Sequence, residues 1–213
     1  VTHPARPALP VPQGSGYSPS MIFNDTSSAL ALLTSRRSGK ARELAAPGPT
    51  DPELATILGA AMRVPDHGKL VPWRFVVVPP QAREALAALL VDAYSAEKPE
   101  ASAKELDAMR SFAGLAPTLV VLIAALKPES HIPLGEQQLS VGAAAMQLLN
   151  AAHALGYVGN WLTGWAAYSP TVAAALGQPG ATIAGFFFLG TATRPLEERL
   201  RPDPQAVVSH WLG

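Results

Sequence analysis

The chain has 213 residues, 48% of them hydrophobic and 15% charged, with 16 basic and 16 acidic side chains and no cysteine. Such a length and apolar share specify a folded domain with a sizeable core and exclude an intrinsically disordered chain, while a net charge of zero gives no general attraction to nucleic acid or to an anionic membrane face. Without cysteine there is no disulfide framework, no thiolate nucleophile and no Cys-based metal or iron–sulfur site, so redox chemistry here requires a borrowed organic cofactor.

Five of the 21 prolines fall in the first 20 residues, among Gly14, Ser15, Gly16 and Ser18. They deny residues 1–25 a helical or strand period and mark a Pro-rich N-terminal extension, with the folded domain expected over 26–213. Thr26 or Ser27 is the expected N-cap of a short helix carrying Leu30 and Leu33 and running out at Arg36-Arg37-Ser38. Thr50-Asp51-Pro52-Glu53 is a capping box with proline in the first turn, and Leu54, Ile57, Leu58, Ala61 and Met62 follow at helical spacing. Val64-Pro65-Asp66-His67-Gly68 breaks that helix, and Trp73 to Val78 reads as a buried strand stopped by Pro79 and Pro80.

A helix with Leu86, Leu89, Leu90 and Ala93 on one face comes next, then a more polar helix over 97–109. Leu119 to Ala125 is aliphatic without polar alternation, the pattern of a strand covered on both faces. Gly135 to Leu155 is apolar round most of a helix, with Leu139, Ala143, Met146, Leu149 and Ala152 expected inward and Gly156 as the stop. Tyr157 to Trp161 is a short strand, Ser169-Pro170 starts a helix that ends at Leu176-Gly177, and Ile183 to Leu189 is a last strand. From Thr191 on, Pro195, Pro202 and Pro204 mark an extended arm. Helices interspersed with strands around one long buried helix specify an α+β or α/β layered domain.

No Walker A, GxSxG, HExxH or strand–GxGxxG–helix motif is present, and the five histidines lack metal-ligand spacing. The longest apolar run, around Pro117 and Thr118, is shorter than the roughly 20 residues of a membrane-spanning helix, and the N-terminus lacks a basic segment followed by an apolar stretch. A soluble, cytoplasmic protein is expected. What stands out are basic and hydroxylic residues at element ends beside glycine and proline. Arg36-Arg37-Ser38 offers guanidinium forks and a hydroxyl to a phosphate, although two arginines at a helix C-terminus also suit its dipole. Arg63 with Pro65-Asp66-His67 precedes Pro72-Trp73-Arg74-Phe75, and Gly156 to Gly164 is a loop, strand and loop whose glycines let the backbone approach a planar ring, or simply make a tight connection.

These segments, together with Glu136, Ser140, Gly142 and Ala143 and with Gly185-Phe186 and Leu189-Gly190-Thr191, resemble in order the nitroreductase family over residues 28–204, in particular its small YdjA-like branch. The resemblance implies an α+β three-layer fold, a central mixed or antiparallel sheet flanked by helices, with a long buried central helix and an extended C-terminal arm. It implies a homodimer with FMN at the interface, NAD(P)H as electron donor, and a small-molecule acceptor, a nitroaromatic, quinone or related compound, reduced in a ping-pong cycle. By position, Arg36, Arg37 and Ser38 would hold the phosphate and ribityl end, Arg63 and His67 would contact the flavin, and Trp161, Leu162 and Thr163 would line its ring. Ala151 to Gly156 would lie in the nicotinamide nucleotide region, and Arg199 or Arg201 would reach the phosphate or the partner subunit, or else stand as solvated arm charges. The resemblance assigns no catalytic side chain and no metal. Lys69 and Val71 replace an Asn and a Gln of many members, and Leu162 replaces an arginine of the branch, which makes the acceptor pocket less polar. Dehalogenase or flavin-consuming chemistry, and a non-catalytic FMN-binding module, are the alternative readings of the same fold.

Overall fold

The computed structural model describes residues 22–177 and 179–213. By contacts the chain falls into Ile22–Leu196 and a second unit that holds the described segment Glu197–Gly213; of the Pro-rich extension expected over 1–25, positions 1–21 lie outside the described residues. The first helix, α1 (Ala29–Ser35), starts one or two residues later than expected because Ser28, and not Thr26 or Ser27, is its N-cap and accepts the Ala31 N–H. A two-residue strand, β1 (Leu44–Ala45), follows. The capping box at Thr50 and Glu53 then opens α2 (Asp51–Ala61).

The strand β2 (Trp73–Val78) and the helix α3 (Arg83–Glu97) match their sequence patterns. The polar helix expected over 97–109 is α4 (Ala103–Phe112): Pro99 interrupts the chain after α3, and Ser102 with Glu105 forms a second capping box. Then come β3 (Thr118–Ala124), the long helix α5 (Leu134–Ala154), β4 (Val158–Leu162), the short helices α6 (Gly164–Tyr168) and α7 (Pro170–Leu176), and β5 (Thr182–Ala192). In the segment Glu197–Gly213, taken by itself, α8 (Pro204–Val207) is capped by Asp203.

Every strand pairing among the described residues is antiparallel. The order runs β2, β3, β5, and β5 also pairs with β4 over Phe186 to Gly190 and with β1 at Thr191 and Ala192. The aliphatic run in β3 and Phe186, Phe187 and Phe188 in β5 are wholly buried because helices cover both faces. One face, with Leu119, Val121, Phe186 and Phe188, packs on α3, α4, α6 and α7. The other, with Val120, Leu122, Phe187 and Leu189, packs on α2 and α5. This is the α+β three-layer architecture with an open antiparallel sheet. The inward face of α5 differs from expectation: Leu149 and Ala152 are buried, but Leu139 is 75% exposed, and Ser140, Val141, Ala144, Ala145 and Leu148 face the core.

Candidate functional site

Chain direction changes at Arg36, which ends α1 in an extended conformation. Asn24 fixes the next residue from 13 positions away: its Oδ1 accepts the Arg37 N–H at 2.8 Å, and its Nδ2 donates to the Arg37 carbonyl at 3.2 Å. Arg36 Nη1 donates to Ser38 Oγ at 3.3 Å and Arg37 Nη1 to the Ser38 carbonyl at 3.3 Å, so both guanidiniums gather around Ser38. From 36 to 42 the chain carries Arg36, Arg37, Lys40 and Arg42 and no acidic residue. A protein neutral overall carries an excess of positive charge here, partly offset by Glu43, whose Oε1 lies 3.6 Å from Lys40 Nζ.

The same segment lies against β4. A Cβ on Gly39 would stand 2.9 Å from Val158 Cγ1, and Asn160 Nδ2 donates to the Gly39 carbonyl. Next on the strand, Trp161 is 38% exposed; its indole N–H donates to the Ala184 carbonyl at 3.0 Å and its ring rests on Phe187 at 5.2 Å. Gly185 is what admits the indole, since a Cβ there would overlap Trp161 Nε1. Leu162 and Asn160, with Lys40, Ala41, Arg42 and Leu115, line a cavity of about 360 Å³. Thr163 follows as the N-cap of α6.

The C-terminus of α5 completes this end. Ala151 accepts the Leu155 N–H at 3.2 Å, and Gly156 turns the chain at φ +87. His153 is fully buried; its Nε2 accepts the Gly159 N–H at 3.0 Å, while Nδ1 is buried without a hydrogen-bond partner. Burial, and secondly the charge of Arg36, pull its pKa down to about 4, so the ring is neutral and carries its proton on Nδ1.

Arg63 and His67 stand elsewhere. Arg63 follows α2, and His67 Nδ1 lies 2.8 Å from Glu136 Oε2 in the first turn of α5. Glu136 and His153 are 17 residues apart on α5, about 25 Å along the axis. The structure therefore gathers Arg36, Arg37 and Ser38 near the C-terminal end of α5 with Ala151 and Gly156, sets Trp161, Leu162 and Thr163 further along β4 and just after it, with Leu162 sharing a cavity with Lys40 and Arg42, and places His67 at the other end of α5, four residues after Arg63. Arg199 and Arg201 belong to Glu197–Gly213, where Glu198 Oε1 accepts the Arg199 N–H at 2.7 Å and the Arg201 Nη2 at 3.1 Å.

Asn24, Lys40, Arg42 and His153 are not signalled as site residues by any motif in the sequence. The cations are visible there as a charge run, whereas Asn24 and His153 act through partners that no local pattern announces. Among the described residues no helix is long and apolar enough to cross a membrane, and no three His, Cys, Asp or Glu side chains are grouped as metal ligands.

The chain is similar to known proteins along most of its length. The model of the nitroreductase family matches residues 33–191. YdjA of Escherichia coli (strain K12), named as a candidate NAD(P)H nitroreductase, is 36% identical over 185 residues, 86% of this chain and 99% of that protein. The fold is similar to that of a nitroreductase-like protein from Bacillus cereus, with a TM-score of 0.76, 20% identity, and coverage of 88% of this chain and 97% of that one. It is also similar to a candidate nitroreductase from Desulfovibrio desulfuricans solved in complex with FMN, with a TM-score of 0.65, 20% identity and coverage of 87% and 98%. From the family match and the YdjA alignment together, the chain belongs to the nitroreductase family.

Proposed function

We propose that the protein is an FMN-dependent oxidoreductase that takes hydride from NAD(P)H and reduces nitroaromatic, quinone or related acceptors as a homodimer. The observation that carries this reading is the paired arrangement at the two ends of α5. One end offers two guanidiniums and a hydroxyl in a segment of four cations, a donor set suited to a dianionic phosphate. It also offers a half-exposed indole braced by Phe187, a surface on which a planar ring can rest. The other end offers Arg63 and a His67 oriented by Glu136. The Arg36 segment and His67 stand toward opposite ends of a helix, with about 25 Å of axial rise between Glu136 and His153. A two-fold partner that sets its Arg63 and His67 end beside the first chain's Arg36 end brings both groups to one FMN. The YdjA name and the FMN-complexed neighbour support the cofactor and donor assignment.

When bound, FMN supplies the hydride and electron chemistry that no side chain of this cysteine-free protein carries. The protein's part is placement and field. Arg36, Arg37 and Ser38 hold the phosphate, Asn160 and Asn24 hold the loop that presents them, and Trp161, Leu162 and Thr163 line the ring. Donor and acceptor then take turns at one exposed face, which gives parallel initial-rate lines.

The test is the absorption spectrum of the purified protein, followed by anaerobic addition of NADH or NADPH and then of nitroaromatics, quinones, enones and halogenated phenols. A yellow protein bleached by a nicotinamide and recoloured by an acceptor is expected. A yellow protein that neither nicotinamide bleaches is a binding module without the reaction, and a colourless one that takes up no added FMN has no flavin function.

A further inference from the structure

One strand edge at the phosphate end is satisfied in an unusual way. Among the described residues β4 has β5 as its strand neighbour, so backbone groups on its other edge need partners from outside the sheet. For Gly159 that partner is the imidazole of His153: the N–H donates to Nε2 at 3.0 Å in a fully buried position. Gly159 is itself closely packed, because a Cβ there would meet Leu149 Cδ2 at 2.6 Å. The arrangement is also costly, since it leaves His153 Nδ1–H buried without a partner. Neither a leucine nor a lysine at 153 would offer an acceptor.

A continuous set of contacts leads from that imidazole to the cationic segment. Gly159 is followed by Asn160, whose amide donates to the Gly39 carbonyl. Gly39 is one residue beyond Ser38, and it is pressed on Val158. Arg36, at the start of the same segment, lies close enough for its charge to act on the His153 ring.

We propose that His153 is a positioning residue for phosphate binding: as a neutral acceptor it fixes the start of β4, and through Asn160 and Gly39 it sets where Arg36, Arg37 and Ser38 stand. The inference rests on the flavin reading and extends it to a residue that touches no ligand. A cation at 153 would face Arg36, and an apolar residue would leave the Gly159 N–H unpaired, so a neutral imidazole suits both neighbours.

The experiment measures FMN affinity by quenching of flavin fluorescence for the wild type, His153→Leu, His153→Gln, Asn160→Ala and the His153→Leu/Asn160→Ala double variant. Apoprotein melting is recorded in parallel to confirm that each is folded. His153→Leu and Asn160→Ala should each weaken FMN binding about tenfold, the scale of one lost hydrogen bond. The double variant should be no weaker than the worse single, because both changes interrupt the same relay. His153→Gln, which restores an acceptor, should recover most of the affinity. A folded His153→Leu with wild-type affinity, or a double variant whose loss is the product of the two singles, overturns the proposal. Should the leucine variant not fold, Asn160→Ala decides alone: unchanged FMN affinity removes the relay. A wild-type protein that binds no FMN overturns the flavin reading and this role together, a result distinct from the others.

Discussion

Val71 has a φ of +49, a left-handed backbone for a β-branched residue, and Lys69 has +55 two positions earlier. What holds them there is Asp66, whose carboxylate accepts the Leu70 N–H at 3.1 Å and the Val71 N–H at 2.9 Å. The turn beside His67 therefore carries backbone strain. Val71→Asn, which tolerates this region, should stabilise the fold by about 1 kcal/mol, read as a higher melting temperature; no change would mean an unstrained turn. His153 gives a second prediction. Its folded pKa of about 4 lies below the ordinary 6.5, so between those values the unfolded chain binds the extra proton. Stability from this group is complete above pH 6.5 and falls as pH drops to about 4, by about 3 kcal/mol in all. Denaturation across that window should show the loss in the wild type and lack it in His153→Leu; parallel curves would refute it. At this scale the sequence shows the residue types well and their roles poorly. Pro65-Asp66-His67-Gly68 announces a turn, but the left-handed angles at Lys69 and Val71 come from anchoring by Asp66, and Asn24 clamps Arg37 without any periodic signal.

Arg83 ties its own helix to the ends of three other elements. From the first turn of α3 it donates to the carbonyls of Val78 at the end of β2 (2.8 Å), Ala113 just after α4 (2.6 Å) and Pro117 just before β3 (3.2 Å), and burial lowers its pKa. Arg83→Met keeps the stem and deletes the fork, leaving three part-buried carbonyls to find other donors. A loss of about 3 kcal/mol in denaturant unfolding is expected, and a loss within the range of an ordinary surface change would show that the fork is dispensable. Elements with strong local punctuation are legible in the amino-acid sequence alone: the Thr50 box, the strand bounded by Pro79 and Pro80, and the Ser169 cap. The facing of α5 is not, because a helix apolar nearly all round carries no unique inward stripe. Gln137 shows the reason in one residue. It is 2% exposed while Leu139 is 75% exposed, since its amide accepts the Lys127 N–H at 2.7 Å and donates to the carbonyls of Lys127 and Ile132. A polar side chain that satisfies a loop backbone competes successfully with leucine for the interior.

For the molecule as a whole, zero net charge conceals a segment of four cations, and the proposed dimer explains why a neutral chain keeps an apolar exterior. α1 packs on α5, and these helices present Leu30 at 55%, Leu33 at 60% and Leu139 at 75% exposure. Large side chains exposed to this degree on neighbouring helices call for cover, and the separation of Arg36 from His67 calls for a partner chain at the same helix. If both demands are met by one interface, a charge placed on α5 should break the assembly and the flavin site together. Leu139→Glu puts a carboxylate where an apolar contact is proposed and, by two-fold symmetry, puts a second one on the partner; desolvating them costs several times the thermal energy. The residue is solvent-facing within one chain, so the monomer's own fold has no reason to fail. Light scattering with size-exclusion chromatography should show a monomer at micromolar concentration where the wild type is a dimer, and the variant should elute without FMN while its far-ultraviolet circular dichroism is unchanged. A monomeric wild type that retains FMN would refute the composite site, and a Leu139→Glu dimer with full flavin would place the interface on another face of the molecule.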